Sequence, residues 1–206
     1  MKCVVLLDNG HGKDTAGKRS PDGRLLEWSW TRDLAGRLME MLMKEGIECH
    51  ILVPEDNDVP LCSGKDNRCK RANKLYAEAQ KAGKKAVLVS LHVNAAGSDG
   101  KWHPSRGFNV KVQPGCCEDS KLLASSIYGC ADEAGLKGNR SVPKCHYWEQ
   151  NLGILRETAM PAVLGESLFM DNREDCAYLL SEEGRQTIAE VYFNGIKKFM
   201  EVKGYE

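Results

Sequence analysis

A chain of 206 residues with 42% apolar and 28% charged residues has the make-up of an ordinary globular domain able to bury its own core. Its 29 basic and 29 acidic side chains cancel, which argues against a strongly basic binder of nucleic acid or anionic polymer. No apolar run approaches the roughly 18–20 residues that cross a bilayer, and the run between Lys2 and Asp8 is too short for a secretory leader. The expectation is therefore synthesis without a signal peptide in a reducing compartment, or secretion with a leader already removed.

Short apolar runs alternate with helical periodicity, the pattern of an α/β layered fold. Val4–Leu7 reads as a buried strand. Trp30, Leu34, Leu38, Met41 and Leu42 share one helical face, with Ser29 as the expected N-cap and Gly46 as the stop. Ile47–Val53 reads as a second strand, closed by Pro54, and Ala72, Leu75, Tyr76 and Ala79 mark a helix that Gly83 ends. The continuous run Ala86–Leu91 fits an inner strand covered on both faces. Phe108, Val110 and Val112 alternate with Asn109, Lys111 and Gln113, as in a half-exposed strand. Leu122, Leu123, Ile127, Cys130, Ala131 and Ala134 form a helical stripe, and 135–151 is irregular. Ala162–Leu164 is a last short strand; Ile188, Tyr192, Ile196 and Phe199 face one side of a final helix. No repeat or linker divides the chain, so residues 1–206 read as one domain.

The 9 cysteines include no Cys-x-x-Cys pair, so zinc-ribbon spacing is absent. Most are expected to be reduced thiols, with Cys62/Cys69 and Cys116/Cys117 the nearest to an oxidisable pair.

The stretch Leu7–Asp14, LDNGHGKD, reads as a plain turn, a phosphate-cradling loop or one corner of a metal site. The phosphate reading fails: Gly10-His11-Gly12 lacks the glycine frame and the Gly-Lys-Ser/Thr ending, and no helix starts directly behind it. His11 follows the first strand, His92 follows Ala86–Leu91, and Glu166 follows Ala162–Leu164, while Glu27 precedes the first helix. In a largely parallel sheet these are carboxyl ends of strands, where α/β proteins assemble their sites. Two imidazoles and two carboxylates make the inventory of a catalytic zinc site: three ligands, an open position and a base. Each residue also has a plainer reading. A histidine after a strand is often a turn residue, Glu27 suits the positive end of a helix dipole, and Glu166 could pair with Arg156. His50 reads as structural, and His103 and His146 as spare ligands.

Five segments in order add a resemblance. LLDNGHGKDTAG, LLEWSWTRDLAGRL, RCKRAN, LVSLHVNA and LGILRETAMPAVLGESLFMDN resemble the motifs of zinc-dependent N-acetylmuramoyl-L-alanine amidases of the amidase-3 type. The resemblance implies a single-domain, mixed but mostly parallel sheet of about six strands with helices on both faces. It implies Zn2+ held by His11, Glu27 and His92, with Glu166 as the catalytic carboxylate. The substrate would be peptidoglycan or a muropeptide, cut between N-acetylmuramic acid and L-alanine. A monomer acting at the bacterial wall is expected, with neither nucleic acid nor a membrane span involved. Asp8 is a candidate to orient His11, and Gly10 and Gly12 to bend the backbone towards the metal. Lys13 and Gly165 depart from the family pattern, and 135–151 fits it loosely. No long insert of the kind that blocks the zinc in some relatives is present, so an open site is expected. The rival readings are a zinc exopeptidase acting within the stem peptide and a non-catalytic wall-binding module.

Overall fold

The computed structural model describes residues 2–205. Its strands are β1 (Cys3–Asn9), β2 (Glu48–Ile51), β3 (Lys85–Asn94), β4 (Asn109–Val112), β5 (Trp148–Glu149) and β6 (Ala162–Phe169). They form one sheet in the order β2-β1-β3-β6-β4-β5. The first four strands in that order run parallel; β4 is antiparallel to β6, and β5 is parallel to β4. The helices are α1 (Glu27–Lys44), α2 (Arg68–Lys81), α3 (Glu118–Glu133), α4 (Gly153–Arg156), α5 (Arg173–Leu180) and α6 (Glu182–Lys203). The expected α/β architecture, with six strands and helices on both faces, is present.

Alternation along the strands divides the core in two. Val5, Leu7, Val89 and Val110 point into a cluster with Trp30, Leu38, Ile127 and Phe199, so α1, α3 and α6 cover that face. Val4, Leu6, Leu88 and Leu164 meet Cys69, Ala72 and Ile154 on the other, under α2 and α4. This second cluster includes no residue of β4 or β5. The asymmetry leaves the second face of the sheet open beyond β6, and it is what makes room for a groove.

The strands run further than their apolar cores. β1 reaches Asn9, β3 reaches Asn94 and β6 reaches Phe169, because their polar ends find partners inside the fold. Asp8 accepts from Ser90 Oγ at 2.6 Å, and Asn9 Nδ2 donates to the Val53 carbonyl at 2.8 Å. β2 is shorter than expected, since this edge strand pairs only with β1, over Glu48–Ile51. Ser29 is not the cap of α1. The helix begins at Glu27 with Leu26 as its N-cap, because the Glu27 amide is tied to the Lys18 carbonyl at 2.9 Å. Ser29 Oγ instead donates back to the Leu26 carbonyl at 3.2 Å. Elsewhere side chains do cap the helices: Asn67 for α2, Asn172 for α5 and Ser181 for α6.

Gly165 has a physical reason. A Cβ there would stand 2.0 Å from Tyr192 Oη, whose hydroxyl lies 2.9 Å from Ser167 Oγ. A buried tyrosine of α6 fills the space that a branched side chain would take. All nine cysteines are free, and the Cys62 and Cys69 sulfurs lie 2.7 Å apart, too far for a bond and close enough for a weak hydrogen bond.

Candidate metal centre

Because β1, β3 and β6 are parallel, their carboxyl ends share one edge, and the sequence-selected residues meet there. His11 follows β1, His92 lies near the end of β3, and Glu27 opens α1. Their ligand atoms lie within 4.8 Å of one another, the one such convergence of three His, Cys, Asp or Glu side chains among the described residues. Glu27 Oε1 is 3.1 Å from His92 Nδ1 and accepts the Val93 amide at 3.0 Å. Glu27 Oε2 is 3.5 Å from His11 Nε2. The two imidazoles stand edge to face, with centroids 4.9 Å apart.

The loop carrying His11 is held from behind. His11 itself has φ of 62°, a left-handed conformation that costs a non-glycine residue about 1–3 kcal/mol unless its surroundings impose it. Its carbonyl accepts from Arg32 Nη1 and Arg68 Nη2, each at 3.0 Å. The flanking glycines do not make the bend, as the sequence reading supposed; they permit close approach. A Cβ on Gly10 would sit 2.3 Å from the His92 ring, and one on Gly12 would sit 1.9 Å from the Asp58 amide nitrogen. Lys13 is exposed and anchored through its amide to the Asp56 carbonyl at 2.8 Å.

Asp8 does not orient His11. Its carboxylate accepts from Ser90 Oγ and from Arg68 Nη1, both at 2.6 Å. Arg68 completes the network with Asp58 Oδ1 at 2.7 Å and the carbonyls of Asn9 and Val59. Burial works against its charge, but Asp8 and Asp58 outweigh it and hold the guanidinium pKa above the ordinary value. In the sequence Arg68 is only the first residue of the RCKRAN segment; the two ion pairs are what give it a role at the site.

The donor set fits a cation. Glu27 is 1% exposed, and its Oε2 has no hydrogen-bond partner, although a buried carboxylate is costly without positive charge nearby. Burial alone would raise the Glu27 pKa; the His92 hydrogen bond and both imidazoles reverse this and hold it below the ordinary value. Burial pulls the His92 pKa down, yet Glu27 and Glu166 more than compensate and hold it above the ordinary value. Burial dominates at His11, lowered to about 4, so this imidazole keeps its lone pair at neutral pH. A buried carboxylate with one oxygen lacking a hydrogen bond, beside an imidazole that stays neutral, is a pocket short of positive charge. A divalent ion would supply that charge.

Glu166 lies in β6 opposite His92 of β3 in the register. Its expected alternative partner, Arg156, pairs instead with Glu157 at 2.9 Å and Asn151 at 2.5 Å. Lys111 of β4 holds Glu166 Oε1 at 2.9 Å, with the two side chains 17% and 13% exposed. The alternation of β4 had put Lys111 on a polar face, a signal sufficient to find it once the antiparallel pairing with β6 was known. Just beyond Glu166, β6 carries one extra residue against β3, and Leu168 takes φ of 66°. Such a bulge is common next to sites. His50, His103 and His146 stay outside the centre: the first two pair with Glu48 and Asp99 at 2.9 Å, and His146 packs on Tyr128.

A pocket of about 260 Å³ lies against His11, His92, Arg68, Leu61 and Gly153. A second of about 400 Å³ lies over β4 and β5. A larger hollow of about 590 Å³, between Cys3, Ile47 and Met200, sits at the opposite ends of the strands and holds none of these groups.

Residues 5–198 match the model of the family described as N-acetylmuramoyl-L-alanine amidase (Amidase_3). The chain belongs to that family. By membership it is an amidase, a hydrolase acting on peptidoglycan. Among curated relatives, it is 26% identical over 208 residues to the endolysin of Bacillus phage SPP1, covering 98% of this chain and 68% of that protein. It is 29% identical over 206 residues to an uncharacterized cell wall amidase of Bacillus anthracis, where it spans 98% of its own length and only 36% of the relative's. The crystal structure of an N-acetylmuramoyl-L-alanine amidase from Clostridium difficile 630 superposes with a TM-score of 0.79 at 23% identity, covering 98% of this chain and 99% of that one. That likeness supports the fold. Among the described residues no helix is long and apolar enough to cross a membrane.

Proposed function

We propose that residues 1–206 form a single catalytic domain that hydrolyses the amide between N-acetylmuramic acid and L-alanine, as a monomer at the bacterial wall, with zinc held by His11, Glu27 and His92. The observation that carries the reading is the buried Glu27 carboxylate, its Oε2 without a hydrogen bond, between two imidazoles at the carboxyl edge of a parallel sheet. Two histidines and a carboxylate are a donor set of catalytic zinc, which leaves one position open. When bound, zinc supplies a Lewis acid for the scissile carbonyl and a water that ionises near neutral pH.

The chain's own groups do the rest. Glu166 accepts the proton of the attacking water and returns it to the departing alanine nitrogen, which is a poor leaving group unless protonated. Lys111 holds Oε1 of that carboxylate at 2.9 Å, keeping it aimed and leaving Oε2 to carry the proton. The Arg32 and Arg68 contacts to the His11 carbonyl fix that imidazole before substrate arrives.

A paired measurement tests this. Metal analysis of the purified protein should find zinc, lost in His11→Ala and retained in Glu166→Gln. Glu166→Gln should lower kcat on muropeptides by about 10²–10⁴-fold, the usual range for a general acid–base group. Mass spectrometry should find products beginning with L-alanine; cleavage between stem residues would mean an exopeptidase, and binding without product a wall-binding module. A metal-free sample that still cleaves, or a Glu166→Gln variant at the wild-type rate, sinks the mechanism.

A further inference from the structure

The groove over β4 and β5 is lined by Asn94, Asn109, Lys111, Arg140, Trp148 and Phe169, among others. The Arg140 guanidinium lies over two rings, 5.4 Å from the Trp148 centroid and 4.9 Å from that of Phe169. Among the described residues it makes no ion pair and no hydrogen bond, and Glu149 of the same groove is not its partner either. Other arginines of the chain contrast with it: Arg106 takes Glu174 and Asp175, and Arg71 takes Glu55 and Asp66. Asn109 faces Glu166 in the register, is 1% exposed, and its Nδ2 has no partner. Lys111 is already committed to Glu166.

A guanidinium stacked between two rings loses little rotamer freedom on binding and keeps its N–H edge for a planar anion. Partial burial makes the unpaired charge costly, and Glu166, the first of the groups that offset this, lies close enough to be felt. The groove therefore suits a carboxylate, and its place in the sheet says whose. In the strand order, His11 and His92 belong to β1 and β3, Glu166 to β6, and the groove to β4 and β5. If Glu166 protonates the leaving nitrogen, the departing peptide lies on its side of the metal, over β4 and β5.

Resting on the proposed amidase reaction, we propose that Arg140 is a specificity-determining residue that binds a free carboxylate on the stem peptide close to the cut, so that stems amidated there are poorer substrates. Arg140 lies in 135–151, a stretch that fits the family pattern loosely, where a preference belonging to this chain would be written.

The test uses two muramoyl peptides that differ only at the residue after L-alanine, one with a free carboxylate and one with a carboxamide. With metal-loaded wild type, kcat/KM should favour the carboxylate by roughly tenfold, carried by KM, the scale of one charge-assisted hydrogen-bonded contact at a partly exposed site. Arg140→Gln should bring the ratio close to one, and Arg140→Lys should restore part of it. Calorimetry with the released peptides, L-alanine first, should show the same loss of discrimination without turnover. An equal fall in kcat on both peptides would make Arg140 a support for Glu166 and overturn the proposal, as would a wild type indifferent to the carboxylate. A wild type that releases L-alanine peptides from neither substrate fells the amidase reading, and this proposal with it.

Discussion

Arg68, behind His11, directs all five of its N–H groups to acceptors inside the protein: Asp8, Asp58 and the carbonyls of Asn9, His11 and Val59. Arg140, beyond Glu166, rests on two aromatic rings and reaches no acceptor among the described residues. The same residue type thus builds two unlike halves of one edge. On the His11 side, α2 covers the sheet and a buried ionic network fixes a left-handed histidine whose position cannot vary if it is to bind metal. On the Glu166 side, the face is left open, and the segment above it is a run of turns ending in two residues of strand. Chemistry common to a family calls for the first kind of construction; selection among substrates calls for the second, in which polar groups wait for a ligand instead of for each other.

The strongest way to break the contrast is to take Arg68 away. In Arg68→Met, Asp8 keeps only the Ser90 hydroxyl, and a carboxylate 1% exposed is left without a cation. Breaking a buried pair from one side costs about 3–5 kcal/mol, and His11 loses one of the two contacts holding its carbonyl. Urea unfolding should show that loss, and metal analysis should show the bound metal released at lower chelator concentration. A variant within about 1 kcal/mol of wild type and with full metal occupancy would mean that the network does not position His11.

Between the two halves runs β6, which at Gly165 leaves no room for a side chain. Gly165→Ala should cost about 1–3 kcal/mol by overpacking, because the new methyl meets Tyr192 Oη at 2.0 Å. Adding Tyr192→Phe removes that oxygen and should recover part of the loss, giving a coupling readable in a double-mutant cycle. Additive costs would show that α6 yields freely and that the tyrosine is not what requires glycine.

The halves were also unequally legible in the sequence. Apolar runs and their periodicity marked the strands that carry His11, His92 and Glu166, and parallel topology then brought those ends together, so fold and ligand candidates could be read in advance. Arg68 and Asp8 are 60 residues apart in sequence, and Lys111 and Glu166 are 55. Such pairs leave no periodic trace; only the register and the packing of α2 reveal them. The start of α1 was misplaced for a related reason: local capping chemistry at Ser29 lost to a tertiary hydrogen bond at Glu27. In 135–151 there was little periodicity to read, because two residues of strand and a chain of turns have none.

The mildest test probes that last segment directly. Asn139, next to Arg140, accepts the Arg106 amide at 3.0 Å and donates to the Pro104 carbonyl at 2.8 Å, yet it is exposed. Water can replace both bonds when the side chain is cut back, so Asn139→Ala should cost about 0.5–1.5 kcal/mol in urea unfolding, the net value of ordinary hydrogen bonds. Metal content should not change, since the contacts that hold His11 come from Arg32 and Arg68 and not from this loop. What should change is the discrimination between carboxylate and carboxamide peptides, because the segment carrying Arg140 would no longer be pinned beside its rings. A stability loss as large as that of Arg68→Met would show that the open half is as tightly built as the covered one, and the division of labour between them would fall.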